Sequence, residues 1–310
     1  MIVITTPAGT IGRQVLENLL DSGEHLRLVA RDLSRIPAGL RPGVEVIEGS
    51  HGDPVVIDKA LDGADAVFWL APPDPRAESA EDAYVGFARP AAEAITKHGV
   101  NRVVGVSALG RGTPWAARAG YVTASLAMDD LIASTGVAYR ALTNPSFMDN
   151  IASQSAAIKN QGMFFSPIDG DRKLPSVATR DIAAAASRLL RDGSWSGVGE
   201  VPLLGPEDLS FNDMAAIISE VLGRQVRFQQ ITFDAYRDRF VGFGMSDAMA
   251  QGMTDMAWAK NQGLDNAVQR TPVNSTPTSF RRWCEATLRP AVLGQSDPRP
   301  EASPPSSEGQ

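Results

Sequence analysis

Ile2-Val3-Ile4-Thr5-Thr6-Pro7-Ala8-Gly9-Thr10-Ile11-Gly12 is the stretch on which the reading of the chain turns. A short apolar run makes a buried strand, and after two glycines the positions Val15, Leu16, Leu19 and Leu20 recur at helical spacing until Gly23 stops them. A strand that turns through glycines into a helix presents backbone N–H groups and the positive end of the helix dipole to an anion. The pyrophosphate of a dinucleotide is the anion this spacing suits. Gly9, Thr10, Ile11 and Gly12 form the candidate cradle, and Thr6 stands where the first glycine of a G-x-x-G-x-x-G turn would be. An ordinary strand-to-helix loop would use the same two glycines.

Outward from this turn, strands and helices alternate. Strands are predicted at Leu26–Ala30, Val44–Ile47, Ala66–Leu70, Arg102–Val106 and Val137–Leu142, with helices at about Pro54–Leu61 and Glu81–His98 between them. Such a succession predicts a parallel sheet covered on both faces, joined by right-handed crossovers. The fold class expected is α/β, a Rossmann-type doubly wound parallel sheet with a smaller C-terminal α/β substrate lobe. Residues 1–146 would form the nucleotide-binding core and 147–293 mainly the lobe. A segment at about 175–192 would return to the core, and 294–310, rich in Pro and Ser, would be a disordered tail.

Composition narrows the classes. The chain has 310 residues, enough for a substantial core, and no run of eighteen apolar residues to span a membrane. Lys plus Arg number 29 against 36 Asp plus Glu, a formal charge of -7 that opposes a general nucleic-acid surface. With the single cysteine Cys284 no intrachain disulfide can form, and His25, His51 and His98 make no metal-ligand spacing, so no metal is expected. The start of the chain lacks a signal-peptide pattern, from which a cytoplasmic location is expected.

Arg31 follows the second strand, where a bound dinucleotide would present its adenosine ribose. A guanidinium there grips a 2'-phosphate with two donors, so NADP is expected over NAD; a solvated loop arginine is the plain alternative. Ala71 and Pro72 close the fourth strand with small, donor-poor groups that let a cofactor pass closely, or simply end a strand.

The chain resembles the atypical short-chain dehydrogenase/reductases, the NmrA-like and NAD(P)H-binding quinone-reductase-like group. The similarity is carried by Thr5–Gly12, Arg31, Asp65–Phe68, Val103–Ala108, Gly136–Pro145, Phe147–Asn150 and Val177–Ala183. It implies a dinucleotide cleft at the carboxyl ends of the strands, with Gly9 to Gly12 around the pyrophosphate and Arg31 on the 2'-phosphate. Ser107 would lie near the nicotinamide, and Asn144, Pro145 and Phe147 at the boundary between cofactor and substrate. Gly49-Ser50 replaces the Gly-Asp frequent in the family, passing the adenine contact to Ser50.

The family pattern also frames the catalytic question. A serine and a tyrosine polarise a carbonyl in catalytic branches, and a lysine four residues after the tyrosine lowers its pKa. Here Ser107 and Tyr121 are the candidate pair, but Ser125 occupies the lysine position and Asp129 the next turn. Without a cation the phenol stays near its free pKa of roughly 10, which disfavours ordinary carbonyl reduction. Electron-poor acceptors that carry their own charge remain open to hydride transfer. Lys159 and Lys173 could bring a cation in three dimensions, although nothing in the sequence places them there.

Beyond Phe147, a helix is predicted over Asn150–Asn160 and strands at Gly162–Ser166, Val201–Leu204 and Val226–Ile231. Ser210 with Asp213 makes a helix cap, and Thr232 starts a further helix. Met245, Met249, Met253 and Met256 recur every three or four residues; they are either core or an adaptable cover over a flat substrate, with Met249 and Met253 the candidate lining. The function expected is an NADPH-dependent oxidoreductase transferring hydride to a small aromatic, quinone-like or other activated acceptor. A non-catalytic NADP(H)-binding redox sensor, or an isomerase, cyclase or dehydratase on the same fold, is the alternative. Partners are expected to be a small hydrophobic or aromatic substrate, with no nucleic acid or membrane, and a homodimer or regulatory partner left open.

Overall fold

The structure is a computed structural model that describes residues 1–40 and 43–294, so the tail from 295 onward lies outside the described residues. β1 (Ile2–Thr5) runs into α1 (Thr10–Leu19), followed by β2 (Leu26–Ala30), β3 (Glu45–Glu48), α2 (Pro54–Leu61) and β4 (Ala66–Trp69). A π-helical turn at Asp82–Gly86 leads into α3 (Phe87–His98), then β5 (Arg102–Ala108), α4 (Tyr121–Ala133) and β6 (Ala138–Asn144). The second half holds β7 (Ser146–Phe147), α5 (Asp149–Ala152), α6 (Ser155–Gln161), β8 (Met163–Ser166), β9 (Leu174–Val177) and α7 (Thr179–Arg191). It continues with β10 (Val198–Pro202), β11 (Asp208–Leu209), α8 (Phe211–Leu222), β12 (Arg227–Gln230), α9 (Phe233–Gly242), α10 (Asp247–Asn261), α11 (Phe280–Trp283) and α12 (Arg289–Leu293).

Seven strands make the main sheet in the order β10-β6-β5-β4-β1-β2-β3, with every neighbouring pair parallel. All residues of β1, β2 and β4 are buried, as strands covered on both faces must be. On one face Val15, Leu16 and Leu19 of α1 pack with Ile182, Ala186 and Leu190 of α7. On the other, Ile57 and Leu61 of α2 join Ala91 and Ile95 of α3 and Met128 and Ile132 of α4. Each large side chain so buried contributes roughly 1.5–3 kcal/mol. The order reverses between β1 and β4, which opens a crevice at their carboxyl ends.

The strand expected over Val201–Leu204 instead runs Val198–Pro202 and pairs with β6, so the return to the main sheet extends past α7. The single helix expected over Asn150–Asn160 is two, broken at Ser153 and Gln154. The break has a local cause: the Gln154 amide accepts from the Phe165 N–H at 2.9 Å and donates to the Phe165 carbonyl at 3.0 Å, taking over pairing on the edge of β8. The cap predicted at Ser210 is present as a reciprocal capping box with Asp213. The second half has its own core, where Phe280 and Trp283 stack beside Met148, Ile218 and the buried Cys284. Burial pushes the Cys284 thiol up to about 12.

Candidate functional site

At the β1–α1 turn the backbone does what a glycine would do with a threonine. Thr6 has φ +53°, the only positive φ at a non-glycine among the described residues. It accepts a hydrogen bond from the Gly9 N–H at 2.9 Å, and its Oγ1 is buried without a partner. Gly12 packs under this turn so closely that a Cβ there would stand 2.2 Å from the Thr6 carbonyl oxygen. Gly9 enters α1 in extended conformation and no side chain caps the helix. The first-turn N–H groups therefore remain available to an anion, and the glycine cradle with its unpartnered hydroxyl fits a pyrophosphate.

Arg31 is exposed beyond the end of β2 and makes no ion pair among the described residues. Its charge reaches His51, whose imidazole is pushed down to about 4, first by burial and then by Arg31, against a hydrogen bond with the Leu70 carbonyl. His51 sits edge-on to Trp69 and Phe87, so it serves as packing beneath the strand ends rather than as a ligand. Ser50 Oγ accepts from the Gly52 N–H at 3.3 Å, a local turn bond. Thr6, Gly9 to Gly12, Arg31 and Ser50 lie around the ends of β1, β2 and β3, outside the lining of the large cleft next to them.

That cleft has a volume of about 870 Å³ and runs from the ends of β4, β5 and β6 into the second half. Ala71, Pro72, Ser107, Asn144 and Pro145 line its strand-end side. Tyr121, Phe147 and Met253 line its walls. Met249 does not line it: the first turn of α10 lies behind Tyr121, and Met249 is buried against Tyr121 and Ala83, while Met256, three residues past Met253, reaches the cleft instead.

Ser107 is the end of a buried polar chain. Its hydroxyl donates to Asp129 Oδ2 and lies 3.5 Å from Ser125 Oγ, while the Tyr139 phenol donates to Asp129 Oδ1 at 2.5 Å. Gly105 makes this possible, since a Cβ there would stand 2.2 Å from the Tyr139 hydroxyl. Burial pushes the Asp129 carboxyl up to about 6, against the pull of the two hydroxyls. The Asn144 amide donates to the Ser107 carbonyl at 3.0 Å and to the Leu142 carbonyl at 2.6 Å, fixing the two strand ends together, and its Oδ1 is buried without a partner. The Tyr121 phenol, expected near its free value, is pushed up to about 12 by burial and secondarily by Tyr236, which makes it a weaker acid still.

Neither Lys159 nor Lys173 lines the cleft; both are exposed, and Lys173 pairs with Asp213 at 3.7 Å. The cleft cations are Arg239 and Lys260, and sequence reasoning missed both. Lys260 had a signal: it stands seven residues after Met253 on one helix, the spacing that keeps side chains on one face. Arg239, Tyr84 and Phe165 had none, because their neighbours come from distant elements.

A sequence profile of the NAD(P)H-binding family matches residues 8–193. The chain is similar to the (4-alkanoyl-5-oxo-2,5-dihydrofuran-3-yl)methyl phosphate reductase of Streptomyces griseus, at 32% identity over 76% of this chain and 79% of that protein. It is 27% identical to the NAD(P)H azoreductase of Xenophilus azovorans, over 83% of this chain and 86% of the relative. Among solved structures, the NADPH-dependent quinone oxidoreductase from Escherichia coli complexed with NADPH shares the fold at a TM-score of 0.74 and 21% identity, with 95% of this chain and 99% of that chain covered.

Proposed function

The chain belongs to the NAD(P)H-binding family, and from that premise we propose that it is an NADPH-dependent oxidoreductase acting on a small aromatic, quinone-like or similarly activated acceptor. The observation that carries this reading is the cleft itself: one apolar cavity joins the strand ends beside the nucleotide turn to a wall of tyrosine, phenylalanine and methionine side chains. Relatives named for azo-compound, quinone and butenolide reduction support it, since all three acceptors are conjugated and electron-poor.

Gly9 to Gly12 would hold the pyrophosphate of NADPH and Arg31 its 2'-phosphate, and the bound cofactor would supply the hydride. The chain's own part is to orient the acceptor and deliver one proton to the oxygen or nitrogen that gains charge. With Asp129 ionised, the Ser107 hydroxyl points its hydrogen at the carboxylate. Once Asp129 takes a proton from solvent, the carboxyl can donate to Ser107 Oγ, and the serine hydrogen is free to turn into the cleft. Ser107 then protonates the acceptor and is restored from Asp129. Tyr121 contributes its ring as a wall more than its proton, given its raised pKa. The lysine absent at Ser125 is thereby replaced by a carboxylic acid held beneath the serine.

Stopped-flow mixing of the protein and NADPH with quinones, enones and imines, followed at the nicotinamide absorbance, tests the proposal. Rapid oxidation with at least one class is expected. Tight NADPH binding with no oxidation by any of them would return the chain to the sensor reading.

A further inference from the structure

Charge in the cleft is one-sided. Among the described residues, the basic side chains that line the cavity are Arg239 and Lys260, and no aspartate or glutamate lines it. This occurs in a chain of formal charge -7, in which acidic residues outnumber basic ones. A low-dielectric cavity with cations alone on its wall concentrates anions against the sign of the molecule around it.

The two cations are held in different ways. Lys260 is on α10 with a side chain only 7% exposed, and its Nζ donates to Asp265 Oδ2 at 2.5 Å. The Asp265 side chain is fully enclosed and lies outside the cleft lining, and its Oδ1 has no hydrogen-bond partner. An ammonium has three donors, so this carboxylate leaves two uncommitted. Two apolar residues would hold such a position at least as well as a buried ion pair, so stability alone does not explain a lysine on the wall. Arg239 is exposed on α9, makes no ion pair among the described residues, and lies over the ring of Phe165 at 4.7 Å. Stacking of that kind keeps the guanidinium flat with its donor edge free. Phe165 itself lines the cleft.

Resting on the reading of this cleft as the acceptor site, we infer that the natural acceptor is an anion: a flat conjugated ring system bearing a carboxylate, sulfonate or phosphate whose oxygens are held by Lys260 and Arg239. These two are binding residues. The proton is delivered at Ser107, which lines the same cavity as Lys260 and Arg239. An oxyanion supplies the acceptors that the uncommitted Lys260 donors and the Arg239 fork lack, through charge-assisted hydrogen bonds.

The test compares 1,2-naphthoquinone with 1,2-naphthoquinone-4-sulfonate at saturating NADPH, in the wild type and in Lys260→Met, Lys260→Arg and Arg239→Gln. The readout is the ratio of kcat/KM for the sulfonated to the neutral quinone, in which differences of quinone reactivity cancel between variants. Lys260→Met is expected to lower that ratio about tenfold or more, mainly through KM, and Arg239→Gln in the same direction, while Lys260→Arg retains most of it. Because Lys260→Met leaves Asp265 unpaired, Lys260→Met/Asp265→Asn is carried beside it and is expected to give the same loss of ratio. An unchanged ratio in the Lys260→Met and Arg239→Gln variants, or a parallel fall for both quinones, overturns the inference. Calorimetry of naphthalene-1-sulfonate binding to the NADP-loaded protein gives a readout without turnover. If neither quinone oxidises NADPH but sulfonate binding depends on Lys260, the anion site stands and the reductase reading falls. If both quinones turn over and sulfonate binding ignores Lys260, the anion site falls alone.

Discussion

In the proposed mechanism Asp129 supplies the proton, and its environment fixes both the sign and the window of its pH dependence. Its carboxyl is raised to about 6, chiefly by burial, so between roughly pH 4 and 6 the folded protein binds a proton that the unfolded chain has released. Stability from this group is therefore present below that window and is lost as pH rises through it. Asparagine cannot ionise, so Asp129→Asn should gain on the wild type by about 2–3 kcal/mol between pH 4 and pH 7 in urea unfolding; parallel stability curves would refute the assignment. In turnover the wild-type rate should climb as pH falls through about 6, and the variant should lose that limb. Ser107→Ala should lower kcat about a hundredfold at any pH. At the other end of the cofactor, Arg31→Ala should weaken NADPH binding about tenfold or more while changing NADH by less than about twofold. Equal losses for the two nucleotides in calorimetry would remove Arg31 from the phosphate.

Among the elements, the contact of α4 with α10 joins the helix of Tyr121 and Ser125 to the helix of Met253 and Lys260, all four of which line the cleft. Gly120, at φ +53° before the first turn of α4, packs against the backbone of α10, and a Cβ there would stand 1.9 Å from the Gly252 carbonyl oxygen. Gly120→Ala combines a left-handed backbone with a clash against main chain, and should destabilise by about 2–4 kcal/mol. It should also raise KM for the acceptor while sparing NADPH affinity, since α1 is remote from the contact; a uniform loss of both would contradict this division. The β1–α1 turn was legible in sequence because its determinants lie within eleven residues. Thr6 at the expected glycine position and Gly12 beneath it are local consequences of chain geometry. The Gly120–Gly252 approach and the Tyr139–Asp129 bond through the gap left by Gly105 arise from tertiary packing, whereas the Lys260–Asp265 pair is a five-residue contact across the end of α10 that no motif marks. Periodicity marked Met249 and Met253 alike, but only the packing of Tyr121 decided that Met253 faces the cleft.

At the scale of the whole molecule, two packed halves share one cleft, and no helix among the described residues is long and apolar enough to cross a membrane. A nucleotide bound only to the native state should stabilise it by about 2.7 kcal/mol at a hundredfold excess over Kd, and a thermal shift larger with NADPH than with NADH is the expected outcome. Cys284, the sole thiol, is enclosed in the second core beside Met148, and Met148 also lines the cleft. The molecule thus carries an inbuilt clock: a neutral alkylating reagent can reach this sulfur only when the second half transiently comes apart. Labelling should slow when a compound bridges the two halves, and keep its pace when nucleotide occupies the β1–α1 turn alone.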